Sequence, residues 1–108
     1  MTDKQIVLCT TGSHEEARKL ARALVDRKQA ACVNVVAGVE STYWWQGKVE
    51  NANEWLLIIK TTASAFDRVQ ATIKELHSYT VPECIALDIK QGSETYLSWI
   101  GESVVAED

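Results

Sequence analysis

Residues 31–61 read ACVNVVAGVESTYWWQGKVENANEWLLIIKT. The stretch is rich in β-branched and aromatic residues, which suit a pleated, half-buried surface. It divides at Gln46-Gly47, where glycine can supply the positive φ of a tight turn. The reading is a hairpin with one strand over 31–45 and its partner over 48–61. A strand of fifteen residues reaches roughly 50 Å at about 3.3 Å per residue. A domain of 108 residues has a diameter on the order of 35 Å. The hairpin therefore bends sharply, near Gly38, or projects as an arm. A lone two-stranded ribbon is marginal in water, so an arm tipped with Tyr43, Trp44 and Trp45 implies another subunit to lie on.

Its second strand carries the same implication. Within EWLLIIK, Leu56 and Ile58 point to one side and Trp55, Leu57 and Ile59 to the other, so both faces are apolar. Helices cover one face of such a sheet. The other face also needs a cover, and a second copy of the sheet supplies one. The expectation is a closed cyclic oligomer.

Outward from the hairpin, residues 5–11 (QIVLCTT) read as a buried strand. Residues 12–29 read as a helix, with Ser13 and Glu16 forming a reciprocal capping box and Ala17, Leu20, Ala21, Leu24 and Val25 on one face. Residues 64–77 form a second helix, with Ser64 as N-cap and Phe66, Val69, Ile73 and Leu76 as its stripe. A fourth strand spans 83–91, and a third helix, capped by Ser93, spans 93–104. Residues 104–108 are expected to fray. The order is β-α-β-β-α-β with an added C-terminal helix: an α+β, ferredoxin-like sandwich formed as a single domain over 1–108.

Composition excludes several classes. The net charge is −4, and no Lys/Arg cluster of the kind that tracks phosphates stands in the sequence, so nucleic acid is not an expected partner. The longest early apolar run, Ile6 to Cys9, is too short for a membrane span or a signal-peptide core. No membrane partner is expected, and the cytoplasm is the expected compartment. Cys9, Cys32 and Cys84 are too scattered for a structural zinc motif or a disulfide framework, and reduced thiols are expected. There is no G-x-S-x-G, Walker A loop or dinucleotide fingerprint. A Cys–His pair lacks an orienting third group at recognisable spacing. The expectation is a protein that is not an enzyme.

Taken in order, AACVNVV, STYWWQGKVE, NEWLLIIKTT, ELHSYTVPE and YLSWI resemble the CutA proteins, the divalent-cation tolerance family, from about Val7 to Ile100. The resemblance implies tight homotrimers in which long hairpins wrap neighbouring subunits. It also implies a likeness to the PII signal proteins, trimers that bind small ligands between subunits. Family members are linked to copper and other divalent metals. In some members a histidine pair and a first-strand cysteine form a copper site. Here Cys9 and His77 match that pattern, while Leu76 stands where the second histidine would be. Ser78 replaces the proline of the usual His-Pro-Tyr turn, and Cys84 follows Pro-Glu where the family is aliphatic.

Four functional expectations follow. Cys9 and His77 are candidate metal ligands, since thiolate with imidazole favours copper or zinc over magnesium or calcium. Cys84 is a possible third thiol beside them. Lys60, Tyr79 and Glu83 are candidates for an inter-subunit cleft that binds a small anionic or zwitterionic ligand, with Glu83 as a partner for Lys60. A structural scaffold or anchoring role is the remaining alternative. Glu50, Asn51, Asn53 and Glu54 read as a solvated strand face, and His14 as exposed.

Overall fold

A computed structural model describes residues 2–105. Strand β1 is Lys4–Thr11, helix α1 is His14–Asp26, and strands β2 (Cys32–Trp45) and β3 (Lys48–Thr62) form the hairpin. A short 3-10 turn at Ala63–Ala65 leads into α2 (Phe66–Leu76), followed by β4 (Ile85–Asp88) and α3 (Glu94–Ser103). The strands make one antiparallel sheet in the order β2-β3-β1-β4.

The hairpin behaves as its length requires. Gln46 and Gly47 both have positive φ, 51° and 79°, the signature of the two-residue turn whose twist matches paired strands. Pairing between β2 and β3 shifts between Val36 and Val39, and Gly38 there has φ of 81°. That β-bulge bends the ribbon, and the arm beyond it still gives the molecule a long axis of 43 Å against 25 and 22 Å. Trp44, near the tip, is 75% exposed.

Period-two alternation sorts the sheet. Val7, Cys9, Leu57 and Ile59 point to the helices and are fully buried with Leu20, Leu24, Val69 and Ile73. Ile6, Leu8, Leu56 and Ile58 point the other way. There they share a face with Ile85 and Leu87, which are about half exposed. Helix α3 packs on Ala31 and Ala65 through Leu97 and Ile100, joined by Val104 just past its end, and Gly101 lies over Lys4 at the sheet's end. It leaves Ile85 and Leu87 uncovered.

Some local details differ from expectation. Ser13 caps α1 by accepting from the Glu16 N–H at 3.1 Å, but the Glu16 carboxylate turns to Ser78, so the capping box is half formed. Ser64 lies in the 3-10 turn and caps nothing. Ala65 precedes α2 without a side-chain cap, because Thr62 and Ser64 pair their hydroxyls instead. β4 is four residues long, since Glu83 and Cys84 belong to the preceding turn. Val104 is buried, and the Val105 N–H donates to the Lys28 carbonyl. Fraying is thus not seen there, and for 106–108 the expectation lies outside the described residues. Among the described residues, no helix is long and apolar enough to cross a membrane.

Candidate functional site

Residues 77–84, HSYTVPEC, connect α2 to β4 and cross the end of β1. His77 closes α2 by donating its N–H to the Ile73 carbonyl. Its backbone then turns extended, and its side chain is fully buried. The ring's Nε2 lies 2.7 Å from the Thr10 carbonyl. A carbonyl can only accept, so Nε2 carries the proton. The Nδ1 lone pair accepts the Tyr79 N–H at 3.0 Å. Glu16 Oε1 lies 3.1 Å from the same Nδ1 and accepts the Ser78 N–H at 3.0 Å and the Ser78 hydroxyl at 3.2 Å. Serine in place of proline therefore has a visible use: it supplies two donors to the carboxylate.

The Tyr79 phenol donates to Glu54 Oε2 at 2.7 Å. The slot for it exists because Gly12 has no side chain: an added Cβ would sit 2.9 Å from the phenol oxygen. Glu54 is 6% exposed, which corrects its reading as part of a solvated face. Burial first, and then the Glu54 carboxylate, push the phenol well above the ordinary tyrosine range. Sequence reading places Glu16 in a capping box and Glu54 on a solvated face, and does not anticipate that both anchor this turn.

Cys9 points into the core, its Sγ 3.8 Å from the Thr10 carbonyl that His77 also approaches. The two candidate ligands thus meet at one peptide group. Burial, helped by nearby Cys84 and Glu83, pushes the Cys9 thiol up to about 12, so at neutral pH it is a thiol and not a thiolate. Cys84 is half-buried against the core, and its thiol is also raised, chiefly by burial. Among the described residues, no three His, Cys, Asp or Glu side chains are grouped to hold a metal ion. As folded in one chain, the pair does not fit a resident copper ion: both ring nitrogens are engaged and the thiol is protonated.

Lys60, Tyr79 and Glu83 are not brought together within the chain. Lys60 lies on the sheet face away from the helices, where its ammonium donates to Asn34 Oδ1 and lies 3.9 Å from Cys32 Sγ. The Tyr79 phenol ends at Glu54, six residues earlier on the same strand, about 20 Å away at the usual strand rise. Glu83 is exposed and, among the described residues, forms no ion pair with Lys60. Within one chain, strand β3 carries Lys60 to the opposite end of the sheet from the turn that holds Glu83.

With this geometry in hand, the comparisons are specific. Residues 5–103 match the family described as CutA1 divalent ion tolerance protein. The chain belongs to that family. It is 48% identical over 100 residues to the divalent-cation tolerance protein CutA of Thermus thermophilus, covering 93% of this chain and 97% of that one. A solved structure of the Thermus protein superposes with a TM-score of 0.93 at 47% identity, over 94% and 99% of the two chains. CutA1 from Oryza sativa superposes with a TM-score of 0.92 at 45% identity, over 94% of each chain. The chain spans 55% of the rice protein named Protein CutA 1, chloroplastic, at 47% identity over 91% of its own length.

Proposed function

We propose that this CutA1-family chain acts in divalent-cation tolerance as a cytoplasmic homotrimer, with copper as the cation it handles and no catalytic step of its own. The observation that carries the cation class is the family match across residues 5–103. The Thermus and Archaeoglobus relatives are themselves named divalent-cation tolerance proteins.

Assembly is supported by the sheet face bearing Ile6, Leu8, Ile58, Ile85 and Leu87, which α1 and α2 do not cover and on which α3 leaves Ile85 and Leu87 exposed, and by the projecting arm with Trp44 at its tip. The element order and the sheet order β2-β3-β1-β4 suit a ferredoxin-like sandwich whose open face packs on copies of itself. Copper is named because the family resemblance links these proteins to it, and Cys9 and His77, which approach one peptide group, are the candidate donors that resemblance singles out. Neither is free in the single folded chain, so copper is not read as a resident ion and no metal geometry is assigned.

Calorimetric titration of the purified protein with Cu(II) and Mg(II) tests this reading. Saturable copper uptake that falls in Cys9→Ser with His77→Ala, with little magnesium uptake, is expected. An isotherm unchanged by the double substitution overturns the assignment of those donors, and no uptake of either ion overturns the metal reading. A mass near 12 kDa in light scattering overturns the trimer.

A further inference from the structure

A groove of about 770 Å³ runs between the outer face of α1 and strand β2. His14, Arg18 and Arg22 border it. They stand at four-residue intervals, so they share one ridge of the helix. Lys19 adds a fourth basic group at the rim, and Val25 and Val35 line the groove as well. Val25 was expected on the buried stripe of α1 but is 40% exposed. The periodicity is right, yet helix α1 packs so that this last apolar position opens into the groove. The His14 ring stacks near-parallel on Trp55, with planes 13° apart and centroids at 6.1 Å, which holds one end of the groove in place.

The charges there have few commitments. Arg22 uses its Nε to bond Asp26 at 2.8 Å, so its terminal nitrogens point elsewhere. Arg18 makes no ion pair or side-chain hydrogen bond among the described residues. Glu15 is the one acidic residue among those lining the groove. A basic ridge beside an apolar strip therefore stands on a chain whose net charge is −4. The sequence does not show this as a phosphate-tracking cluster, because the basic residues are interleaved with alanine and leucine and align only when the helix winds.

We propose that this groove is a binding site for a small organic phosphate. The phosphate oxygens accept from the guanidinium groups of Arg18 and Arg22, whose planar fork suits a tetrahedral dianion. The apolar body of the ligand lies on Val25 and Val35 beside the His14 ring. The site is away from the open face, and neither Cys9 nor His77 is among the residues that line it, so its test is separate from that of the metal reading.

Phenyl phosphate is a suitable probe because it joins one phosphate to one apolar ring, and inorganic phosphate is its control. Both are titrated into the full-length protein in its native assembly, at low salt, by calorimetry or by NMR shifts of the α1 amides. Phenyl phosphate is expected to bind at least tenfold more tightly than inorganic phosphate. Arg18→Gln, at an exposed site, is expected to weaken phenyl phosphate about tenfold, with circular dichroism unchanged. Val25→Glu, which places a carboxylate on the apolar strip, is expected to abolish binding. Equal affinity for the two probes overturns the proposal, as does binding that survives both substitutions or an absence of binding at millimolar concentration.

Discussion

The two faces of the sheet carry similar residues and meet different surroundings. Leu57 and Ile58 are adjacent on β3, yet Leu57 is fully buried beneath α1 and α2 while Ile58 lies on the side that, among the described residues, only α3 approaches, at the sheet's end. On the helix side, burial is complete within one chain and stabilises the fold of that chain. On the open side, comparable apolar surface is left partly in water, so its burial can stabilise only an assembly. One strand thus contributes to two equilibria through alternate residues.

Substitutions on the two sides should separate these equilibria. The largest effect is expected for Leu57→Ala. It removes a buried leucine from a close-packed core and should cost about 3 kcal/mol in denaturant unfolding, whatever the state of assembly. Next is Leu87→Lys, which places a charge on the open face. Losing the burial of one leucine is worth about 2 kcal/mol per subunit at an interface, so for a trimer, whose midpoint follows the square root of its dissociation constant, the assembly midpoint should move on the order of a hundredfold upward in protein concentration. Light scattering should then show the 12.0 kDa chain at dilutions where the parent stays assembled. If Leu87→Lys unfolds the chain without first dissociating it, the distinction between the faces fails.

The smallest effect tests the turn that joins the two sides. Tyr79→Phe removes one part-buried hydrogen bond to a carboxylate and should cost about 1.5 kcal/mol at neutral pH. Its pH dependence is more informative. The phenol is raised by burial and by Glu54, so the folded state holds its proton longer than the unfolded chain does. That contribution is whole below the unfolded value of about 10 and is lost as pH climbs through the raised folded value. Tyr79→Phe should remove this part of the alkaline loss in a pH series of thermal melts. A melt profile identical to that of the parent above pH 10 would mean that the phenol is not held as described.

Much of this organisation is legible in the sequence because it is local. The turn at Gln46-Gly47, the stripe of Val69 and Ile73, and the alternation of Leu57 with Ile58 depend on spacing alone. The site is less legible because its contacts close over long separations. Tyr79 finds Glu54 across 25 residues and Ser78 finds Glu16 across 62. Ser13 and Glu16 have the spacing of a capping box, but two donors on Ser78 compete for the same carboxylate and win it. Glu54 stands among polar neighbours on the arm, and nothing nearby in sequence announces that a phenol will cover it. A glycine at position 12, at a strand end with no positive φ to explain it, was the available hint that another side chain passes close by. The misplacement of Val25 is of another kind: helical periodicity assigns a face, but the angle at which the helix lies on the sheet decides where that face ends.

The bulge near Gly38 can also be seen as a counting device. Between the rung Val36–Leu56 and the rung Val39–Glu54, β2 takes three steps while β3 takes two. Odd-numbered residues of β2 therefore face the helices at its base, as Val33 and Val35 do, whereas along the arm the odd-numbered Tyr43 and Trp45 share the opposite side with Glu50 and Lys48. The mismatch of one lets a single chain satisfy two phases, one set by the core and one set by the tip turn. It also marks the place where the hairpin could shed a residue and keep every other rung in step. A loss anywhere else along β2 would throw either the core or the aromatic tip onto the wrong side.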